Sequence, residues 1–251
     1  MLARLVEAGH DVAVLGRSAE KRAAMAQLGA TAVADITDVA AGADAVVICV
    51  FTDEQVRQVC LEHGLLATMS RGSALVVHTT GSPRTVETIA VRGAPHDVDV
   101  VDAPVSGGPH NAAAGALTLF VGGAEETVAR VRPVLGCYGD PILHVGPLGA
   151  GQKVKLVNNA LFAAQIGLLS GSIELAARLG VPESTLLTAL SHGSAASRVL
   201  DIVARGGSVA SFIDTAGEFV GKDIGVARHI AAELGSDLGV LDHVIDTAIR
   251  G

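Results

Sequence analysis

Aromatic residues are nearly missing from this chain: there is no tryptophan, and one tyrosine and five phenylalanines occur in 251 residues. A core must therefore be assembled from Ala, Val, Leu and Ile, and small side chains draw helices close together. Positive charge is also scarce. Eighteen Lys and Arg stand against 26 Asp and Glu, a formal charge of -8, and no basic run occurs. That excludes the positive patch that nucleic acid or an anionic membrane surface requires. Cys49, Cys60 and Cys137 are scattered, with neither a disulfide framework nor zinc spacing, and fit a reducing cytoplasm. The nine histidines show no metal-ligand spacing, and neither H-E-x-x-H nor G-x-S-x-G occurs, so metal catalysis and Ser/His hydrolysis have no positive support.

The start lacks a signal-peptide core, because Arg4, Glu7, His10 and Asp11 interrupt Leu2–Val14. The uncharged stretch between Lys155 and Glu174 approaches membrane-spanning length. Asn158, Asn159, Gln165, Ser170 and Ser172 break it, and each polar group left unpaired in lipid costs several kcal/mol. It reads as a buried helix of a soluble domain, with no membrane partner.

Short apolar runs do occur, and they alternate with helical patterns. Asp11–Gly16, Ala45–Val50, Ala74–His78 and Val98–Pro104 read as buried strands, with Leu117–Val121 and Ile142–Val145 later. Helices are expected over Ala19–Leu28, Asp53–Cys60 and Pro83–Val91. Continuous apolar strands alternating with helices indicate a parallel sheet covered on both faces. After Pro147 no strand pattern returns. Helices are expected over Gly151–Leu179, Glu183–Leu190, Ala196–Ala204, Gly217–Leu234 and Leu238–Ile249. The expected organisation is an α/β domain over residues 1–148 and an all-α domain over 149–251.

A nucleotide-binding α/β domain normally opens with a strand and a Gly-rich turn that lets the backbone approach a pyrophosphate. No G-x-G-x-x-G is present. The chain begins with what reads as the first helix, so the initial strand and its turn are expected to be missing, leaving two inner strands with unpaired edges. A different α/β fold that needs no such strand is the alternative.

Several segments could carry chemistry. Gly16-Arg17-Ser18 follows a strand. An Arg there suits a ribose 2′-phosphate, where an acid would suit the free hydroxyl; an ordinary loop with Ser18 as a helix cap explains it equally. Thr79-Thr80-Gly81-Ser82 ends a strand, where ligands of parallel sheets bind, or simply caps strand and helix. Asp102–Gly108 offers the Ser106 hydroxyl and the N–H groups of Gly107 and Gly108 as a carboxylate cradle; a simple turn would look the same. Lys155 and Asn159 are four residues apart and share a helix face. A Lys beside a substrate carbonyl can donate a proton and stabilise an alkoxide, and the Asn can orient it. Lys222-Asp223, taken alone, reads as a surface ion pair.

Taken together, these pieces resemble the β-hydroxyacid dehydrogenase family of the 3-hydroxyisobutyrate dehydrogenase type. Leu5–Asp11 resembles its "L…AGH", Gly16–Ser18 its "NR(T/S)", Thr79–Pro83 its "ST-x-SP", Asp102–Gly108 its "DAPVSGG" and Gly115–Gly123 its "GxLTxxVGG". Gly149–Asn159 resembles its "GxGxxxKxxNN", and Lys222-Asp223 its later "KD". The resemblance implies a Rossmann-like domain, here without its first strand and Gly-rich loop, followed by an all-α domain. It implies Lys155 as catalytic acid/base and Asn159 as the group positioning substrate. Ser106, Gly107 and Gly108 would hold a small substrate's carboxylate, with Lys222 closing over it. Arg17, Ser18, Thr80, Lys222 and Asp223 would contact the cofactor, NADP rather than NAD. A homodimer or homotetramer is implied. The competing readings are a non-catalytic dimerising remnant and an imine reductase on the same fold, the latter opposed by Lys155.

Overall fold

The computed structural model describes residues 1–233 and 235–249, in two compact units, Met1–Lys155 and Leu156–Gly251. The first unit runs α1 (Leu2–Glu7), β1 (Ala13–Leu15), α2 (Ala19–Gln27), β2 (Thr31–Val33), α3 (Ile36–Ala40), β3 (Ala45–Ile48), α4 (Asp53–Arg57), α5 (Leu65–Thr68), β4 (Ala74–Val77), α6 (Pro83–Gly93), β5 (Asp99–Asp102), β6 (Val105–Ser106), α7 (Pro109–Ala114), β7 (Leu117–Gly122), α8 (Glu125–Gly136) and β8 (Gly139–Gly146). Helix α9 (Ala150–Arg178) begins here and continues into the second unit, where α10 (Glu183–Leu190), α11 (Arg198–Gly206), α12 (Val209–Glu233) and α13 (Val240–Ile249) follow.

The helix starts follow local chemistry. Ser18 caps α2 by accepting the Lys21 N–H, and Ser82 caps α6 ahead of Pro83, whose fixed φ suits the first helical position. Thr52 and Gln55 form a reciprocal capping box on α4. Gly29, at φ 88°, takes the left-handed turn that ends α2.

Strand β4 is buried along its whole length because β3 and β5 flank it in parallel register and helices cover both faces. Its alternate residues feed two cores. Leu75 and Val77 join Val46, Ile48 and Val100 on one face; Ala74 and Val76 join Val101, Leu119 and Val121 on the other. This is the period-2 logic of a strand.

Two features differ from the all-parallel expectation. Strand β7 runs antiparallel to both β5 and β6, and β8 then returns parallel to β7. Antiparallel neighbours need no long crossover, so a short helix, α7, suffices between β6 and β7. Among the described residues, strands β1 and β2 pair only with each other, as a two-stranded parallel sheet separate from the six-stranded one. Among the same residues, β1 and β3 each have a strand neighbour on one side. The residues of β1 are only half-buried, although their apolar run reads as interior.

In the second unit, α10 follows the sequence expectation and α11 starts two residues later than expected. Helix α12 begins at Val209, eight residues before the expected Gly217. Val209, Phe212 and Ile213 pack into the core with Leu187, Val199 and Val203, and that burial outweighs the modest helix propensity of Val209, Ser211, Asp214 and Thr215. Its expected end at Leu234 lies outside the described residues, as do Arg250 and Gly251 of the expected 149–251 domain. Small residues do bring helices together: a Cβ on Gly167 of α9 would fall 2.2 Å from the Val244 carbonyl oxygen on α13.

Candidate active site

The carboxyl ends of β3 and β4 are joined by Thr79, whose hydroxyl donates to the Val50 carbonyl at 3.0 Å and accepts the Val50 N–H at 2.9 Å. Thr80 is buried beside it. Asp53 fixes the next residues: its carboxylate accepts the Ser82 N–H at 3.1 Å and the Thr85 hydroxyl at 2.6 Å. Glycine at position 81 leaves room for this carboxylate, since a Cβ there would lie 2.0 Å from the Asp53 Oδ1 and displace it.

Asp102, the last residue of β5, is completely buried. Its Oδ1 accepts the Gly149 N–H and its Oδ2 the Gln152 N–H, each at 2.7 Å. Both donors are at the start of α9, where backbone N–H groups have no partner inside the helix. Glycines at 122 and 151 leave room for this carboxylate, since a Cβ at either would come within 2.4 or 2.8 Å of its oxygens. Burial pushes the Asp102 pKa up to about 6, against the opposing pull of the two N–H donors.

Gln152 then ties the same helix start to β4. Its Oε1 accepts the Gly81 N–H at 2.9 Å and its Nε2 donates to the Thr79 carbonyl at 2.8 Å. The segments Thr79–Ser82, Asp102–Gly108 and Gly149–Lys155, far apart in sequence, are therefore bonded to one another around the head of α9. Asp102 and Gln152 stand inside recognisable motifs, yet sequence reasoning gives them no role. The available signal was a carboxylate closing a buried apolar strand, which must find donors.

His78 also gains a physical account. Its Nδ1 bonds the Ala103 carbonyl at 2.5 Å and its Nε2 the Tyr138 hydroxyl at 2.8 Å, the rings meeting edge-on with centroids 5.5 Å apart. The carbonyl can only accept, so Nδ1 carries the proton and Nε2 accepts from the tyrosine. Burial lowers the His78 pKa to about 4 and raises that of Tyr138. The pair is neutral and structural, and it holds the backbone just before Ser106. His110 is exposed on α7.

Lys155 is buried near the head of α9, and Asn159 lies one turn along on the same face. Asn159 donates to Asp223 Oδ2 at 2.5 Å, and Asp223 Oδ1 pairs with Lys222 Nζ at 2.7 Å. The structure thus unites Asn159, Asp223 and Lys222 in one partly buried network, not an isolated surface pair. Ser106 is half-buried at the end of β6, while Gly107 and Gly108 are exposed. The Gly108 N–H already donates to Asn111 Oδ1 at 3.1 Å, so a carboxylate would compete with Asn111 for it. Arg17 is exposed at the end of β1. Ser18 spends its hydroxyl oxygen on capping α2.

Comparison with known proteins bears on this arrangement. A family model described as the NAD binding domain of 6-phosphogluconate dehydrogenase matches residues 1–146, more than half of the chain. A second, described as NAD-binding of NADP-dependent 3-hydroxyisobutyrate dehydrogenase, matches residues 149–248. The chain belongs to the 3-hydroxyisobutyrate-dehydrogenase-type β-hydroxyacid dehydrogenases. Members of this family are NAD(P)-dependent enzymes acting on CH–OH groups. The β-hydroxyacid dehydrogenase framework extends over nearly the whole chain. An uncharacterized oxidoreductase of Shewanella frigidimarina is 35% identical over 96% of this chain and 84% of its own length. A probable 3-hydroxyisobutyrate dehydrogenase-like protein of Arabidopsis thaliana is 34% identical over 80% of this chain, and the match spans 61% of its length. The solved 3-hydroxyisobutyrate dehydrogenase of Mycobacterium tuberculosis with L-serine superposes with a TM-score of 0.87 at 27% identity, covering 99% of this chain and 88% of that one.

Proposed function

We propose that this chain is an NADP-dependent oxidoreductase that interconverts a small β-hydroxyacid and its semialdehyde, or reduces a related short aldehyde acid. The observation that carries the reading is the Asp102–Gln152 junction. It fixes the first turn of α9, and with it Lys155, against the two loops that the family uses for cofactor and substrate. Residues 1–148 would serve cofactor binding, and residues 149–251 substrate closure and self-association into a homodimer or homotetramer. The free thiols suit a cytoplasmic setting.

The residues present fit a nicotinamide dinucleotide in part. Arg17 stands exposed at a strand end with no acid at positions 16 to 18, which favours a 2′-phosphate. Thr80 and the pinned Gly81 offer a fixed edge for the nicotinamide end. The nicotinamide supplies the hydride acceptor or donor. Ser106, Gly107 and, in competition with Asn111, Gly108 hold the substrate carboxylate. Lys155 takes the hydroxyl proton during oxidation and returns it during reduction, and Asn159 orients the same oxygen. Asp223, itself paired with Lys222, keeps Asn159 in place.

A second reading is favoured by one observation: among the described residues, β1 and β2 pair apart from the main sheet. On that reading the chain self-associates without useful cofactor binding. Calorimetry of the full chain with NADPH and NADH separates the two, followed by turnover on a panel of short β-hydroxyacids. Tighter NADPH binding with oxidation of a β-hydroxyacid supports the enzyme. Binding of neither dinucleotide discards it for the second reading.

A further inference from the structure

Helices α9, α12 and α13 leave an apolar pocket of about 270 Å³ within the second unit. Ala163 and Ile166 line it from α9, Gly217, Val220 and Gly221 from α12, and Ile245 from α13, and no lining residue carries a polar side chain. Asn159, Ala163 and Ile166 follow one another at four and three residues, so they share one face of α9. Val220 and Gly221 lie within one turn of Asp223 on α12. The pocket therefore begins about one turn, roughly 6 Å, beyond the Asn159–Asp223 hydrogen bond. It runs away from that bond as far as Phe212, about 16 Å from Asp223 along α12.

Glycines keep this space open. A Cβ on Gly221 would meet no atom within 4 Å, and one on Gly217 only the Ile213 Cγ2 at an ordinary 3.5 Å. Both positions are helical, so the backbone requires glycine at neither. A larger residue at either would favour the helix, because glycine weakens a helix interior. An unfilled apolar cavity lowers stability further and stays free of water. An apolar group that enters it gains the full benefit of leaving water.

We propose that the pocket receives an unbranched alkyl group carried on C2 of the substrate. The inference rests on the β-hydroxyacid function proposed above and adds a side-chain class to it. That reaction leaves one carbon free to carry a side chain: C1 is the carboxylate, and C3 bears the hydroxyl and becomes the aldehyde. Asn159 orients the C3 oxygen, and C2 is two bonds from that atom. The pocket starts one turn further along the same helix face. An apolar cavity of about 150 Å³ holds a benzene ring, so this one holds about ten carbons. A charged or hydroxylated side chain would lose its hydration there and find no side-chain partner.

The test uses the full chain with NADP and a series of 2-alkyl-3-hydroxypropanoates, from methyl to decyl. Steady-state kinetics gives kcat/KM for each, and calorimetry of the same compounds gives a readout independent of turnover. In the wild type, kcat/KM should rise about fourfold per added methylene once the chain reaches the pocket, and the dissociation constants should fall in step. Gly221→Leu fills the pocket and should lower the octyl-to-methyl ratio of kcat/KM at least about tenfold. Gly171→Leu, at an exposed glycine of α9 with open space around it, should leave that ratio as it is. Should Gly221→Leu not fold, Ala163→Val on the facing helix gives the same reading. A ratio that Gly221→Leu or Ala163→Val does not change, or wild-type turnover that is flat or falls from methyl onward, overturns the pocket while leaving the dehydrogenase standing. Turnover of no member, methyl included, overturns both.

Discussion

The side-chain amide of Gln152 holds Gly81 from one end, its Oε1 accepting the Gly81 N–H at 2.9 Å, while its other end donates to Thr79. Both partners are main-chain groups of the loop after β4, so the loop's position depends on one buried side chain on α9. Gln152→Glu keeps the acceptor but turns the donor into an oxygen facing the Thr79 carbonyl. Gln152→Leu leaves two buried main-chain groups unpaired, at about 1–3 kcal/mol each. If the loop contacts the dinucleotide, either variant raises KM for NADPH at least about tenfold and alters the hydroxyacid KM far less. Steady-state kinetics with each substrate varied separates this from general loss of folding, which would lower the active fraction and leave both KM values unchanged.

Asp102 gives the protein a pH signature. Its folded pKa, about 6, is above the usual value of 3.8. A raised acid binds its proton more tightly when folded, so its contribution is fully present below the unfolded pKa. It is lost as pH rises through the folded pKa, here between about 4 and 6, and amounts to about 3 kcal/mol for two pKa units. Denaturant unfolding of wild type and Asp102→Asn across that range should show the wild-type stability, relative to the variant, falling as pH rises. Parallel curves would mean that Asp102 titrates as an exposed carboxyl.

His78 has the opposite sign. Its pKa is depressed to about 4 from 6.5, so its contribution is present above 6.5 and lost as pH falls towards 4. Tyr138→Phe deletes the hydroxyl that Nε2 accepts from, costing about 1–3 kcal/mol at neutral pH. Thermal melts between pH 4 and 7 check both effects. A variant as stable as wild type at pH 7 would show that the Tyr138 bond contributes nothing.

Lys155 is the sharpest test of the chemistry. Lys155→Ala should lower kcat by about 10²–10⁴-fold, the usual contribution of a general acid or base, while calorimetry shows NADPH binding unchanged. An unaltered kcat would remove Lys155 from the reaction.

Much of this was legible in the sequence. The apolar runs at Ala45 and Ala74 give their strands directly, because a strand buried on both faces tolerates little else. The Lys155–Asn159 pair is legible from helical spacing. What was hidden depends on partners distant along the chain. Nothing near Asp102 announces that its donors are Gly149 and Gln152, and nothing near His78 points to Tyr138. The helical start at Val209 was masked by β-branched and short polar residues, Val209, Ser211, Asp214 and Thr215, whose local cost is outweighed by core packing. The antiparallel turn of β7 was hidden because an apolar run has no direction.

The pairing of β1 with β2 alone has a consequence for hydrogen exchange. Among the described residues, Ala13–Leu15 and Ala45–Ile48 each bond a neighbouring strand on one side, whereas Ala74–Val77 is bonded on both. Amide protons held in a one-sided ladder open by local fluctuation rather than by unfolding of the sheet, so deuterium should enter Ala13–Leu15 and Ala45–Ile48 well ahead of Ala74–Val77.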